Sequence, residues 1–246
     1  MTVPNEPSGP MLDIASCAPT VYLDDIAPGG TVLVVSPHPD DETLGCGLAI
    51  AAAIAAGRDV LILLTTDGEA SHPGSRSVGK DALRRIRRGE LETALAILSG
   101  GQEVPILTLG LPDGRSAPCM IAGERLDALV RSLRLRDIRS VWTTWRRDPH
   151  IDHRTAAVLA RRLANALEAD LWSYPIWGRF LPAAPETRDL RRFACPSEDL
   201  ADRKRRALAA YRSQFDNLID DDTEGFIMPL AILAHFASFD EIFIRD

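Results

Sequence analysis

From residue 30 onward, short apolar runs alternate with longer segments of helical periodicity, and this alternation restricts the fold more than any other feature of the chain. Residues 31–35 and 60–66 read as buried strands, 106–109 as a short strand, and 140–144 and 171–175 as further strands. Between them, residues 41–56, 79–98, 122–135 and 152–169 carry apolar positions at helical spacing, with Gly57 and Gly100-Gly101 as stop signals. Such alternation predicts an α/β, Rossmann-like fold: a mostly parallel sheet with helices on both faces. Later segments are less regular. Residues 197–213 read as one helix with Ser197 as N-cap, 226–237 as another, and 241–245 as a last short strand. Residues 1–25 read as an irregular arm, and 26–246 as a single domain. The Pro-rich stretch 175–187 reads as an active-site loop rather than a boundary.

The 246 residues are 46% hydrophobic, enough for one sizeable core. A net charge of −7 gives no global attraction for nucleic acid. The basic runs at 84–88 and 203–206 read as solvated helix faces. Four cysteines show no CxxC spacing and read as reduced thiols of a cytoplasmic protein, with Cys46 packed in a core. The N-terminus carries no secretory pattern, and the longest apolar stretch, 226–239, is too short to span a bilayer. The oligomeric state stays open, a homo-oligomer included.

Two polar clusters follow apolar runs. The first is Ser36-Pro37-His38-Pro39-Asp40-Asp41-Glu42, and the second is Asp148-Pro149-His150-Ile151-Asp152-His153. Three of the five histidines lie in them. In an open α/β sheet, ligands bind outside the carboxyl ends of the strands. Asp67-Gly68-Glu69 and Leu111-Pro112-Asp113-Gly114 also fall at strand ends, so four polar clusters are expected on one rim. Imidazole and carboxylate together suit one catalytic zinc with a position left open for water. His38 and Asp41 are near enough in sequence to ligate one ion through a tight turn. Of Asp40 and Asp41, one would face the metal and the other a water. Of His150 and His153, one would complete the coordination and the other face the substrate. The competing structural reading makes Asp40 or Asp41 a helix cap and His150 a surface residue.

The segment Pro37–Glu42, with His150-Ile151-Asp152-His153, resembles the PIG-L/LmbE family of zinc-dependent N-acetylglucosamine deacetylases over about residues 30 to 180. Ser36 departs from the alanine of many members. The resemblance implies that His38, Asp41 and His153 hold zinc. It implies that Asp40 is the general base and that His150 stabilises the oxyanion or protonates the leaving amine. Arg87, in an Arg-x-x-Glu helix with Glu90, and Asp113 match substrate-binding positions. Trp177 is a further candidate, since an aromatic face beside this rim would stack on a sugar ring. His72 reads as an exposed loop histidine and His235 as a hydrogen-bonded core residue.

The expected activity is hydrolysis of the N-acetyl group of an amino sugar or glycoconjugate, a small-molecule substrate. A second reading keeps the site and changes the substrate to a thiol conjugate or another N-acyl metabolite. A third is a non-catalytic nucleotide- or sugar-binding domain. The first strand is not followed by GxGxxG, and Gly45-x-Gly47 falls inside a helix, so a phosphate cradle has no support.

Overall fold

A computed structural model describes residues 4–181, 189–238 and 241–245. Eight strands form one sheet among these residues: β1 (Thr20–Val21), β2 (Thr31–Ser36), β3 (Val60–Thr66), β4 (Ile106–Leu111), β5 (Ile138–Thr144), β6 (Asp170–Tyr174), β7 (Leu190–Phe193) and β8 (Glu241–Arg245). Their order is β1-β7-β8-β6-β5-β2-β3-β4. All pairings are parallel except those of β8, which runs antiparallel to β6 and β7. The helices are α1 (Pro10–Ser16), α2 (Leu23–Ile26), α3 (Asp41–Ala55), α4 (Lys80–Leu98), α5 (Glu124–Leu133), α6 (Ile151–Leu167), α7 (Glu198–Leu208), α8 (Arg212–Phe215) and α9 (Leu230–Ser238).

The unbroken Val/Leu/Ile runs of β2 and β3 are buried along their whole length, as strands covered on both faces must be. Successive side chains point to opposite faces and divide the core in two. Val32, Val34, Ile62, Leu64 and Trp142 pack with α3, α4 and α7. Leu33, Val35, Leu61, Leu63 and Val141 pack on the other face with Leu159, Ala160 and Leu163 of α6.

Chain direction places the site. The path leaves β2 for β3 and β4 on one side, and reaches β5 and β6 on the other. The crevice between the carboxyl ends of β2 and β5 is therefore a topological switch point, where open α/β sheets bind ligands. The two polar clusters leave the sheet there.

Helix α3 bends at Cys46, whose φ and ψ are −142° and 23°. Two contacts account for the bend. A Cβ on Gly45 would fall 2.0 Å from the Tyr174 ring, so only glycine lets α3 approach β6 this closely. Beyond the bend, the Leu48 and Ala49 amides donate to Glu241 at 2.6 and 2.9 Å, and Lys204 Nζ donates to Leu44 O at 3.2 Å and Glu241 at 2.7 Å. This buried pair ties α7 and β8 to α3. Removing one partner of a buried pair leaves an uncompensated charge. Lys204→Met is therefore expected to lower the unfolding free energy by about 3–5 kcal/mol in urea titrations, and Lys204→Met with Glu241→Leu to regain part of that loss.

Four expectations need correction here. The arm at 1–25 is not irregular over its described part: α1 buries Met11 and Ala15, and β1 pairs with β7. Those elements are too short to show a period in sequence. The predicted helix over 197–213 breaks after Leu208, because Ser213 turns to bond Glu90 through its amide at 2.8 Å and its hydroxyl at 2.6 Å. The predicted helix over 226–237 starts only at Leu230. Pro229 keeps Met228 out of the helical region, so residues 226–228 lie outside the helix. The basic runs are not wholly solvated, since Arg87 and Lys204 are buried. The loop expected over 175–187 lies outside the described residues from 182 onward.

Candidate metal centre and active site

The turn from β2 into α3 carries His38, Asp40 and Asp41, all buried. Asp40 sits at φ 134°, a conformation costing about 1–3 kcal/mol for a non-glycine residue and found where the surroundings impose it. Several bonds do so. The Asp40 amide donates to Glu42 Oε2 at 3.2 Å, and Glu42 is itself held by Thr43 and by the Tyr211 hydroxyl. Ser36 Oγ donates to His38 O at 2.9 Å. Neither aspartate acts as a simple cap: Asp40 makes no side-chain capping bond, and Asp41 Oδ2 accepts from the His38 amide at 3.2 Å. Glu42 is thereby a turn-holding residue that does not reach the cavity.

Three donor atoms gather around Asp41. Its Oδ2 lies 2.9 Å from His38 Nδ1 and 3.3 Å from His153 Nε2. The other ring nitrogens face further carboxylates. His38 Nε2 is 3.1 Å from Asp113 and 3.1 Å from Asp152, and His153 Nδ1 is 3.1 Å from Asp148. His150 caps α6, accepting from the Asp152 amide at 3.2 Å, and its ring centre is 4.9 Å from those of both His38 and His153. Ligand atoms of His38, His150 and His153 fall within 4.8 Å of one another, as do those of His38, Asp113 and Asp152.

The electrostatics point to a cation. Asp41, Asp148 and Asp152 are 3%, 0% and 0% exposed, and Arg87 pairs with neighbouring Asp40. Burial alone would lower His153, yet Asp41 and Asp148 raise it to about 9. His38 is raised likewise, its burial outweighed by Asp113, Asp152 and Asp41. A divalent ion at this position would balance these carboxylates. The donor set of two imidazoles and a carboxylate on one side, each imidazole backed by a second carboxylate, fits a zinc site with its supporting shell. Burial also drives the Asp40 carboxyl up to about 8, which Arg87 only partly opposes. His150 is lowered to about 4 by burial and by the neighbouring imidazoles.

Arg87 is not on a solvated face. Its guanidinium donates to Gly68 O at 2.9 Å, Pro39 O at 2.8 Å and Asp40 Oδ2 at 3.2 Å. A Cβ on Gly68 would lie 2.1 Å from Arg87 Nη1, and its φ is 68°, so both space and backbone require glycine there. Asp113 reaches the same rim but is engaged, Oδ1 with His38 and Oδ2 accepting from the Ala70 amide at 2.7 Å. Trp177 is buried against Phe226, with ring centres 6.0 Å apart.

A cavity of about 350 Å³ opens over these groups, lined by His38, Asp40, Asp41, Arg87, Asp113, His150, His153 and Trp177 among others. Three of the four strand-end clusters line this cavity, and the fourth meets it only through Gly68 O, which accepts from Arg87. Sequence reasoning gave no role to Asp148, which accepts from the Ile176 and Gly178 amides at 3.1 and 3.0 Å while facing His153. Its place two residues before His150 is the signal that was available. Asp152 is fixed by Ser116 and Gly114 and faces His38. Gln214, Phe226 and Met228 also line the cavity, and no motif marks them.

Two further histidines differ in outcome. His72 is 3% exposed, covered by the 221–226 segment, rather than an exposed loop residue. His235 packs in the core with Nε2 3.4 Å from the buried Arg179, as expected. Around His72, the 70–77 loop is strapped to the distant segment. Asp221 accepts from Ser75 Oγ and the Arg76 and Ser77 amides at 2.7–2.9 Å, and Asp222 accepts from the Gly74 amide at 2.7 Å. Both strapped segments line the cavity. Asp221→Ala is expected to raise KM several-fold with metal content unchanged, as read by steady-state kinetics and metal analysis.

The sequence profile described as "PIG-L: GlcNAc-PI de-N-acetylase" matches residues 33–164. A mycothiol S-conjugate amidase of Streptomyces coelicolor is 32% identical over 139 residues, 50% of this chain and 47% of that protein. A 1D-myo-inositol 2-acetamido-2-deoxy-alpha-D-glucopyranoside deacetylase of Kineococcus radiotolerans is 40% identical over 86 residues, 34% of this chain and 23% of that one. The matched stretch thus spans less than half the length of these relatives. Among solved structures, the N,N'-diacetylchitobiose deacetylase of Pyrococcus horikoshii superposes with a TM-score of 0.65 at 22% identity, over 89% of this chain and 85% of that one, a likeness of fold. With the profile covering more than half of its residues, both polar clusters included, the chain belongs to the PIG-L family.

Proposed function

We propose that this protein is a zinc-dependent N-deacetylase acting on an N-acetylglucosamine-type amino sugar or glycoconjugate. The observation that carries this reading is the meeting of His38 Nδ1, Asp41 Oδ2 and His153 Nε2 beside a strained, buried Asp40 at the mouth of a cavity. His38, Asp41 and His153 would hold the ion. Zinc there would lower the pKa of a bound water towards about 7 and polarise the amide carbonyl.

The chain's own groups account for the rest. Asp40, held by Arg87, accepts a proton from the attacking water, and its raised affinity for protons suits that role. His150, which lines the cavity with its ring centre 4.9 Å from that of His38, assists the developing oxyanion and the departing amine. Asp148 keeps the His153 ring turned so that Nε2 faces Asp41. Asp113 and Asp152 do the same for His38. Arg87 and Asp113 thus act on the substrate chiefly through Asp40 and His38, a revision of the sugar-contacting roles the resemblance implied.

These assignments set expectations. Asp148→Asn should weaken zinc affinity about 10- to 100-fold, as for other partners of ligating histidines, read by competition with a chelator. Asp113→Ala should lose turnover on sugar and non-sugar amides alike. A loss confined to sugar amides would return Asp113 to a sugar-binding role.

A second reading, an amidase on a thiol conjugate, is favoured by the match to the mycothiol S-conjugate amidase. A panel of N-acetylglucosaminides and N-acyl thiol conjugates, assayed for free amine by mass spectrometry, separates the two. Failure to hydrolyse any member would sink both. A non-catalytic nucleotide-binding role has nothing to rest on, since Gly45 is packed under Tyr174 inside α3. Among the described residues no helix is long and apolar enough to cross a membrane, and a cytoplasmic location is the reading we keep.

A further inference from the structure

We infer that the amide substrate carries an apolar group, aliphatic or aromatic, beside its scissile bond. This rests on the N-deacylase reading above and specifies its substrate. The polar wall of the cavity is largely committed to protein atoms. Arg87 bonds Gly68, Pro39 and Asp40. Asp113 has one oxygen against His38 and the other on the Ala70 amide. Gln214 Nε2 donates to Ser71 Oγ at 3.1 Å and to Ser213 O at 2.9 Å. Arg87, Asp113 and Gln214 therefore already have protein partners.

The remaining wall is largely apolar. Leu44, Pro73, Trp177, Phe226 and Met228 form its apolar part, and Glu224 is a charged residue that also lines the cavity. Leu44 lies one helical turn past Asp40, with its amide 2.9 Å from Asp40 O, so this wall begins beside the reacting groups. Trp177 and Phe226 meet edge to face, a geometry that leaves ring surface for a further apolar group. Residues 226–228 are pinned in place. The Phe226 amide donates to Ser71 O at 2.7 Å and the Met228 amide to Gln214 O at 2.8 Å. Hydroxyls pressed on this wall would exchange water for carbon and lose their hydrogen bonds. An alkyl or aryl group gains by leaving water there. The same chemistry arises from a long acyl chain or from an apolar substituent on the amine side.

Two ligand series distinguish these sources: N-acylglucosamines from acetyl to octanoyl, and alkyl 2-acetamido-2-deoxyglucosides from methyl to octyl. Binding is measured by calorimetry on zinc-loaded Asp40→Asn, which prevents turnover, and hydrolysis is measured on the unaltered protein. Affinity in at least one series should rise about three- to fourfold per added methylene over the first carbons. Phe226→Asn, placed in the Asp40→Asn background, should flatten that slope with zinc content unchanged. Met228→Gln serves the same purpose should the Phe226 variant fail to fold. Flat affinity in both series overturns the inference even where acetate is released. So does a slope that both wall variants leave intact. A slope that the wall variants flatten, with no amide hydrolysed, supports the apolar site and overturns the N-deacylase reading instead.

Discussion

Asp40→Asn will keep its zinc and lose about 10²- to 10⁴-fold in kcat, the usual contribution of a positioned general base. Asparagine preserves the size of the side chain and an oxygen for Arg87 Nη2, which stands 3.2 Å from Asp40 Oδ2. It removes only the ability to take a proton. The reserve candidates are poorly placed to substitute. Glu42 is bound by Thr43, Tyr211 and the Asp40 amide, and Asp152 by Ser116 and Gly114. Neither lines the cavity. Near wild-type turnover in Asp40→Asn, with metal content equal to that of the parent, would remove Asp40 from the mechanism.

The second large effect concerns the ion. His153→Ala and His38→Ala should each reduce bound zinc from one per chain to background, and activity with it, while thermal unfolding remains cooperative. A three-residue set with an open position has no spare ligand. Both histidines are buried beside carboxylates, so each truncation also removes one of the two imidazoles that face Asp41. Full zinc occupancy in His153→Ala, by metal analysis of the purified variant, would overturn the ligand assignment. In that event the group of His38, Asp113 and Asp152 would be the next set to alter.

The sheet was largely legible before its structure. Strands 60–66 and 241–245 lie where the apolar runs put them, and β2, β5 and β6 differ from expectation by one or two residues at an end. Buried parallel strands carry their signal locally, as unbroken apolar runs bounded by turns. The elements that were missed or misjudged depend on distant partners. β1 and β7 exist by pairing across about 170 residues of chain, Thr20 with Arg192 and Val21 with Phe193. The break after α7 exists because Ser213 bonds Glu90.

The same division runs through the site. His38, Asp40, Asp41, His150 and His153 were readable because the chemistry needs those residue types just after strands, and the parallel sheet brings those strand ends to one rim. Their local spacing is short enough for sequence to record it. What each surrounding polar group bonds was decided only by tertiary structure. Arg87 passes for a solvated helix residue until the turn at Gly68 and the Asp40 carboxylate are seen to close on it. That Asp113 faces His38 Nε2, 3.1 Å away, is likewise visible only in the fold. Asp148, His72, Phe226 and Met228 acquire their places from segments far off in the chain. A hydrogen bond or a packed ring is set by a few ångströms of space, whereas the sequence determines the period and the chemical type of what will be brought there.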